Sequence, residues 1–136
     1  MLSSFDISTS ALVAERARLN SISSNIANMS TTRNERGELE PYRARYVTFQ
    51  TDTDLTTPGG GSGVKVGSVE YSTAPPRMRY EPGHPDADAN GYVHYPAIDM
   101  TKEFVDALEA TRAYEANVGV IEVTKDLTQS TLRIIA

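Results

Sequence analysis

The sequence predicts an α+β protein: long N- and C-terminal helices paired as an α-helical coiled coil, with a small β-rich region of short strands and loops between them. Three observations carry this expectation. Apolar residues recur every seven positions near the start, at Phe5, Leu12, Leu19 and Ile26, and again along the last third of the chain. All seven prolines and eight of the nine glycines fall between Thr31 and Asp99, which excludes long helices there. The length, 136 residues, suits one compact unit with extensions. The boundaries drawn on this basis are an N-terminal assembly helix over 1–30, a β-rich and loop region over 31–98, and a long C-terminal assembly helix over 99–136.

Ser3, followed three residues later by Asp6, resembles a capping box, and helix formers such as Ala11, Leu12, Ala14, Glu15 and Arg16 come next. A helix from about Asp6 to Asn28 is predicted. Ile22 and Met29 join its apolar stripe, whereas Ser21, Ser23, Ser24, Asn25 and Asn28 weaken its last turns. Burying its few apolar side chains falls short of the backbone entropy of ordering it. Both termini are therefore expected to be largely disordered in the isolated monomer.

The middle reads as short strands. Tyr42 to Gln50 and Val64 to Tyr71 alternate and are rich in β-branched and aromatic residues, and the turn-rich Thr56 to Gly63 lies between them. A hairpin with a flexible tip is expected. Pro75, Pro76, Pro82, Pro85 and Pro96 then cut the chain into extended segments, with one further short strand at Gly91 to Tyr95.

Asp99 is a good N-cap, and no proline follows it. The resulting helix of about 35 residues would span roughly 50 Å. One face reads Phe104, Ala107, Thr111, Tyr114, Val118, Ile121, Lys125, Thr128, Leu132 and Ile135. A second reads Val105, Leu108, Ala116, Val120, Val123, Leu127 and Ile134. A helix with two apolar stripes needs neighbours on two sides.

Charge and composition narrow the function. A net charge of −5 leaves no global basic footprint for nucleic acid, and the cluster Arg33, Arg36, Arg43 and Arg45 reads as a solvated strand face or a contact with acidic partner residues. There is no cysteine, hence no disulfide and no thiolate chemistry. Glu15, Arg16 and Arg18 interrupt the first apolar run too early for a membrane span. The start also lacks the basic and apolar regions of a cleavable signal peptide.

Chemical constellations are few. Asp86 to Gly91 matches the first half of a calcium loop, with oxygen donors at Asp86, Asp88 and Asn90, but position twelve is Ala97 where a bidentate Glu is needed. A polar turn with Gly91 at positive φ explains the same residues. His84 and His94 beside Asp86 and Asp88 lack the spacing of a catalytic metal site. No serine sits in a nucleophile elbow, and Gly59, Gly60, Gly61 and Gly63 fit no phosphate-binding loop. No enzyme activity, cofactor or metal is expected; a calcium- or metal-binding module using the Asp86–Gly91 loop is the alternative reading.

Three motifs carry a resemblance. Ser24-Asn25-Ile26-Ala27-Asn28 with Thr31-Thr32-Arg33, then Pro82-Gly83-His84-Pro85-Asp86-Ala87-Asp88 with Gly91-Tyr92-Val93, and finally Ala110 to Val118 (ATRAYEANV) resemble the bacterial flagellar axial proteins. Within these, the last two motifs and the short length are similar to the FlgC family of proximal basal-body rod proteins. The resemblance covers almost the whole chain. It implies a structural subunit of the rod that transmits motor torque across the periplasm, exported by the flagellar type III apparatus without a cleaved signal.

The implied partners are copies of itself in a helical homo-oligomer, the other proximal rod proteins, the distal rod protein and the export-gate adaptor. Nucleic acid and direct membrane insertion are not implied. The assembly interface expected from the stripes and motifs comprises Phe5, Leu12, Leu19, Ile22, Asn25, Ile26 and Asn28, and on the last helix Phe104, Leu108, Arg112, Tyr114, Glu115, Asn117, Val118, Ile121, Leu127 and Leu132. Arg112 is expected to pair with Glu109 or Glu115 at helical spacing. Gly119, costly inside a helix, is expected to permit close helix approach. Tyr95-Pro96-Ala97-Ile98-Asp99 departs from the Met-Pro-Asn-Val-Asn-like stretch usual in the family, so contacts around 97–104 transfer least.

Overall fold

The computed structural model describes residues 2–135, with side chains from 4 to 134. Helix α1 (Leu2–Ala27) leads into strands β1 (Arg45–Thr56), β2 (Ser62–Tyr71), β3 (Arg77–Tyr80) and β4 (Tyr92–Tyr95), and helix α2 (Met100–Ile135) closes the chain. The α+β arrangement expected from the placement of proline and glycine is present. Helix α1 starts four residues ahead of Asp6, so Asp6 lies inside the helix rather than in a capping box; the side chains of Ser3 and Ile135 lie outside the described residues.

Helix α2 starts where its sequence directs. Asp99 Oδ1 accepts hydrogen bonds from the amides of Thr101 at 2.9 Å and Lys102 at 3.4 Å, and its carbonyl accepts from Glu103 N at 3.0 Å. Thr111, Thr124, Thr128 and Thr131 each donate their hydroxyl to the carbonyl four residues back, satisfying a β-branched polar residue inside a helix.

The two helices run antiparallel. Arg18 reaches Glu109 at 3.3 Å, and one face further along α1 Asn25 reaches Glu103 at 3.1 Å, so ascending α1 descends α2. The inward line of α2 is Glu103, Ala107, Ala110, Asn117, Ile121, Thr124 and Thr128, while Phe104, Leu108, Val123 and Leu127 stay exposed. Apart from Glu103 and Ile121, small and short polar residues thus face the helix partner within the chain. With ten more residues than α1, α2 is about 15 Å longer at 1.5 Å per residue, and residues 129–134 are exposed throughout.

Strands β1 and β2 form an antiparallel hairpin running from Arg45↔Tyr71 to Thr56↔Ser62, with irregularities after Thr48 and after Asp52. Helix α1 lies across both strands as well as along α2. Gly63 makes this possible: a Cβ there would lie 2.5 Å from Leu55 Cδ2 and 3.1 Å from Ser10 Oγ. The Ser10 hydroxyl accepts from Val64 N at 3.0 Å and donates to Ile7 O at 2.6 Å. Gly63 is therefore a helix contact rather than part of a flexible tip, and the turn contracts to 57–61, where Thr57 N donates to Gly61 O at 2.8 Å.

The short strand expected at the end of the central region finds its partner in β3, in register Arg77↔Tyr95 to Tyr80↔Tyr92. Among the described residues, this ribbon contacts no other helix or strand. Alanines supply much of the buried apolar surface (Ala14, Ala44, Ala110), joined by Ile22, Val93 and Ile98. So small a core leaves most large apolar side chains of α2 uncovered.

Candidate assembly site

Two polar knots hold the N-terminal motif against the rest of the chain, and both use side chains far apart in sequence. At the first, Asn25 is fully buried. Its Oδ1 accepts from Arg45 N at 2.8 Å and from the Tyr42 hydroxyl at 3.2 Å. Its Nδ2 donates to Arg45 O at 2.9 Å and to Glu103 Oε2 at 3.1 Å. The carboxamide's four hydrogen-bonding positions are thus filled, and it pairs with Arg45 through both main-chain groups, as a neighbouring strand would. One side chain fixes the end of α1, the start of β1 and the first turn of α2.

Neighbouring residues reinforce this. Ser21 donates to Arg45 O at 2.8 Å, the Ser24 and Tyr42 hydroxyls share a bond of 3.1 Å, and Asn28 Nδ2 donates to Ser24 O at 2.9 Å. The serines and asparagines that weaken helix propensity serve here as crosslinks and caps. Glu103 is 1% exposed, and burial pushes its carboxyl above the usual range, opposed by the hydrogen bond from Asn25. Glu15 is likewise raised by burial, with Arg18 opposing; its Oε2 is enclosed without a hydrogen-bond partner.

The second knot is Asp86. Thr32 donates its hydroxyl to Asp86 Oδ2 at 2.6 Å, and Arg33 grips Oδ1 through Nε at 2.7 Å and through Nη2. The Thr32 bond first, and Arg33 next, hold this carboxyl below the usual aspartate range. The segment after α1 and the His-Pro-Asp segment before β4 are thereby clamped together. Arg33 also donates to Gly37 O at 2.7 Å, while Arg43 donates to Ser72 O and Arg45 lies over the rings of Tyr42 and Tyr71, each at 5.7 Å. Three of the four arginines of the basic cluster are built into the fold in this way.

Of the oxygen donors of the calcium-like loop, Asp86 is held by Thr32 and Arg33 and Asp88 is engaged in turn formation. Asp88 Oδ1 accepts from Asn90 N at 2.8 Å and Tyr92 N at 2.9 Å, and the Tyr92 bond is the main reason its carboxyl is lowered. Gly91 has φ of 82°. Asp88 also faces His94 Nε2 at 3.5 Å, whereas His84 Nδ1 accepts from Asp86 N at 3.0 Å, so the two histidines serve different partners. Among the described residues no three His, Cys, Asp or Glu side chains are grouped to hold an ion, and no helix is long and apolar enough to cross a membrane.

The expected interface residues divide clearly. Ile22 and Asn25 are buried; Phe5, Leu12, Leu19, Ile26, Asn28, Asn117, Val118 and Ile121 are half-buried; Phe104, Leu108, Arg112, Tyr114, Glu115, Leu127 and Leu132 are exposed. Glu109 is bonded by Arg18, and Arg112 makes no ion pair among the described residues. A Cβ on Gly119 would meet nothing within 4 Å, so no close helix approach within the chain accounts for this glycine. Glu103 and Tyr42 were not legible as site residues; the one sequence signal is a carboxylate in heptad register with Ala110, Asn117 and Thr124.

Comparison with known proteins gives matches at both ends and along the whole chain. A family described as "Flagella basal body rod protein" matches residues 5–33, and one described as "Flagellar basal body rod FlgEFG protein C-terminal" matches residues 89–134. The two spans contain Asn25, Arg33 and Glu103. The chain is similar to the flagellar basal-body rod protein FlgC of Salmonella typhimurium, 44% identical over 98% of this chain and 97% of the relative. For Bacillus subtilis FlgC the values are 39%, 96% and 95%, and for Borreliella burgdorferi FlgC 37%, 99% and 97%.

Proposed function

Since the chain belongs to the FlgC family of flagellar basal-body rod proteins, we infer that it is a structural subunit of the rod in the flagellar basal body. Its work is motility through assembly, not catalysis. Residues 1–30 and 99–136 act as the assembly helices and 31–98 as the outer β-rich part. Copies of this chain, other proximal rod proteins, the distal rod protein and the export-gate adaptor are its partners. The chain reaches the periplasm through the type III export apparatus without a cleaved signal, and the finished rod transmits motor torque.

The observation that supports assembly most directly is the outer face of α2. Leu108, Val123 and Leu127 are about 60% exposed along one face of a helix that the chain's own elements leave uncovered there. A row of large apolar side chains this long marks a protein interface. The interface residues named above, from Phe5 to Leu132, are proposed to contact neighbouring subunits either directly or by shaping the helix pair.

The test is complementation. A bacterium lacking its own FlgC and carrying this chain should swim, and purified basal bodies should contain the chain. Leu108→Asp, on the exposed face, should abolish both while leaving the monomer's helix content unchanged. Basal bodies that form without this chain, or swimming with Leu108→Asp, would refute the reading.

A further inference from the structure

The turn before β4 contains the one Asn-Gly pair of the sequence. Of the six asparagines, Asn20, Asn25, Asn28, Asn34, Asn90 and Asn117, only Asn90 precedes a glycine. Asparagine is a chemically labile residue, and it is most so ahead of glycine, where no side chain shields the following amide nitrogen. Asn90 is exposed, and its carboxamide makes no hydrogen bond among the described residues. Its carbonyl carbon is open to attack.

The glycine cannot be exchanged to remove this hazard. Gly91 has φ of 82°, and a Cβ there would lie 2.9 Å from Tyr80 Cε2 and 3.2 Å from Pro82 Cβ. Left-handed backbone and the closeness of Tyr80 both require glycine. The nitrogen that would attack is held instead. Gly91 N donates to Asp88 O at 3.0 Å, and Gly91 O accepts from Glu81 N at 2.9 Å. Asp88 Oδ1 takes the amides on either side, Asn90 N at 2.8 Å and Tyr92 N at 2.9 Å, while Asp88 N donates to Tyr92 O at 2.8 Å. Four of these five bonds involve Asp88. Ring closure requires Gly91 N to give up its proton and turn toward Asn90 Cγ, which breaks its bond to Asp88.

We propose that Asn90 is a site of spontaneous modification, deamidation through a succinimide, and that Asp88 keeps it closed while the β3–β4 ribbon is folded. In the reaction Gly91 N bonds to Asn90 Cγ, the Cγ–Nδ2 bond breaks, and Nδ2 leaves as ammonia with the Gly91 proton. Water then opens the ring. Cleavage between the nitrogen and Cγ leaves aspartate; cleavage between the nitrogen and the main-chain carbonyl carbon leaves isoaspartate. The latter routes the main chain through Cβ and Cγ, so the pairing Tyr80↔Tyr92 loses the turn that aligns it. Only the opened turn reacts, and the rate therefore reports how often it opens. The inference concerns the free chain and stands apart from the rod reading.

The experiment incubates the purified full chain at mildly alkaline pH and maps its peptides by mass spectrometry, with isoaspartate methyltransferase labelling to identify the isomer. Modification should be confined to Asn90 and should run at least about tenfold slower in the native chain than in urea. Asp88→Ala removes two hydrogen bonds from the turn and should speed the native reaction by roughly tenfold with the helical signal unchanged. Asp88→Asn keeps the Oδ1 acceptor and should stay near the unmodified rate. Equal rates in native and unfolded chains, modification spread over the other asparagines, or a folded Asp88→Ala chain no faster than Asp88→Asn overturns the proposal. The comparison of native with unfolded chain decides the matter even if Asp88→Ala does not fold.

Discussion

Replacing Asn25 by alanine should unfasten three elements at once. Of the four hydrogen bonds lost, two leave partners that keep another bond: Arg45 O retains the Ser21 hydroxyl and Tyr42 retains Ser24. The other two leave orphans, Arg45 N and Glu103 Oε2. At about 1 to 3 kcal/mol for a stranded polar group, with the charged acceptor at the upper end, Asn25→Ala should cost about 4 kcal/mol. Urea unfolding at neutral pH, followed by the helical circular dichroism signal, measures this. Asn25→Asp keeps the shape and the bonds from Arg45 N and Tyr42, yet turns a carboxylate toward Arg45 O and Glu103. It should be at least as damaging at pH 7 and should recover as the pH falls and one carboxyl takes up a proton. A loss below about 1 kcal/mol for Asn25→Ala would refute the reasoning, because a residue that is only fraying at a helix end could not cost more.

Three further outcomes are expected. The folded-state carboxyl of Glu15 is raised by burial above 4.5, so its penalty is absent below pH 4.5 and grows as pH climbs through the raised value; Glu15→Gln should stabilise the monomer by about 1 kcal/mol at pH 7 and match the unmodified chain in acid, as thermal melts across pH would show. Asp86→Ala should release the clamp to Thr32 and Arg33 and raise hydrogen exchange in 32–37 and 82–95 without touching α2. Gly119→Ala meets open space and should stabilise the free monomer by about 1 kcal/mol through helix propensity, yet impair swimming if a neighbouring helix comes close there; normal swimming would show that the glycine has no packing role.

Much of the fold could be read from single residues. The Asp99 cap and the absence of proline after Pro96 fix α2 almost to the residue, because capping and backbone donors are local properties. The first hairpin was legible for the same reason. Strand β3 was not, since Arg77-Met78-Arg79-Tyr80 alternates over only four residues and follows two prolines; its pairing is defined by β4, further along the chain. The inward face of α2 was legible only in part: it shares Ala107, Ile121 and Thr128 with one apolar stripe but leaves Phe104 and Tyr114 of that stripe exposed. Helices that approach closely choose Ala107 and Ala110, and hydrophobicity alone points to the larger side chains, which here are left for the surface.

At the assembly site, the residue types in the N-terminal motif were legible and their work was not. Asn25 reads locally as a weak helix former; only with Arg45 and Glu103 beside it does it become a junction. This also narrows the expectation of disorder in the isolated chain. Ser10, Ser21 and Asn25 tie α1 to the hairpin, so slow hydrogen exchange is expected around Ser21 to Asn25 and fast exchange from Gln129 onward, where α2 has no cover.

The unequal lengths of α1 and α2 give the molecule a head and a tail. One end is knotted shut by Asn25 and Asp86 beside the ribbon; the other is a bare spike of α2 reaching about 15 Å past its companion. An object with two unlike ends cannot be stacked indifferently. Any column that repeats one spike-to-shoulder contact carries an arrow along its length, and only its growing tip offers the next unfilled shoulder.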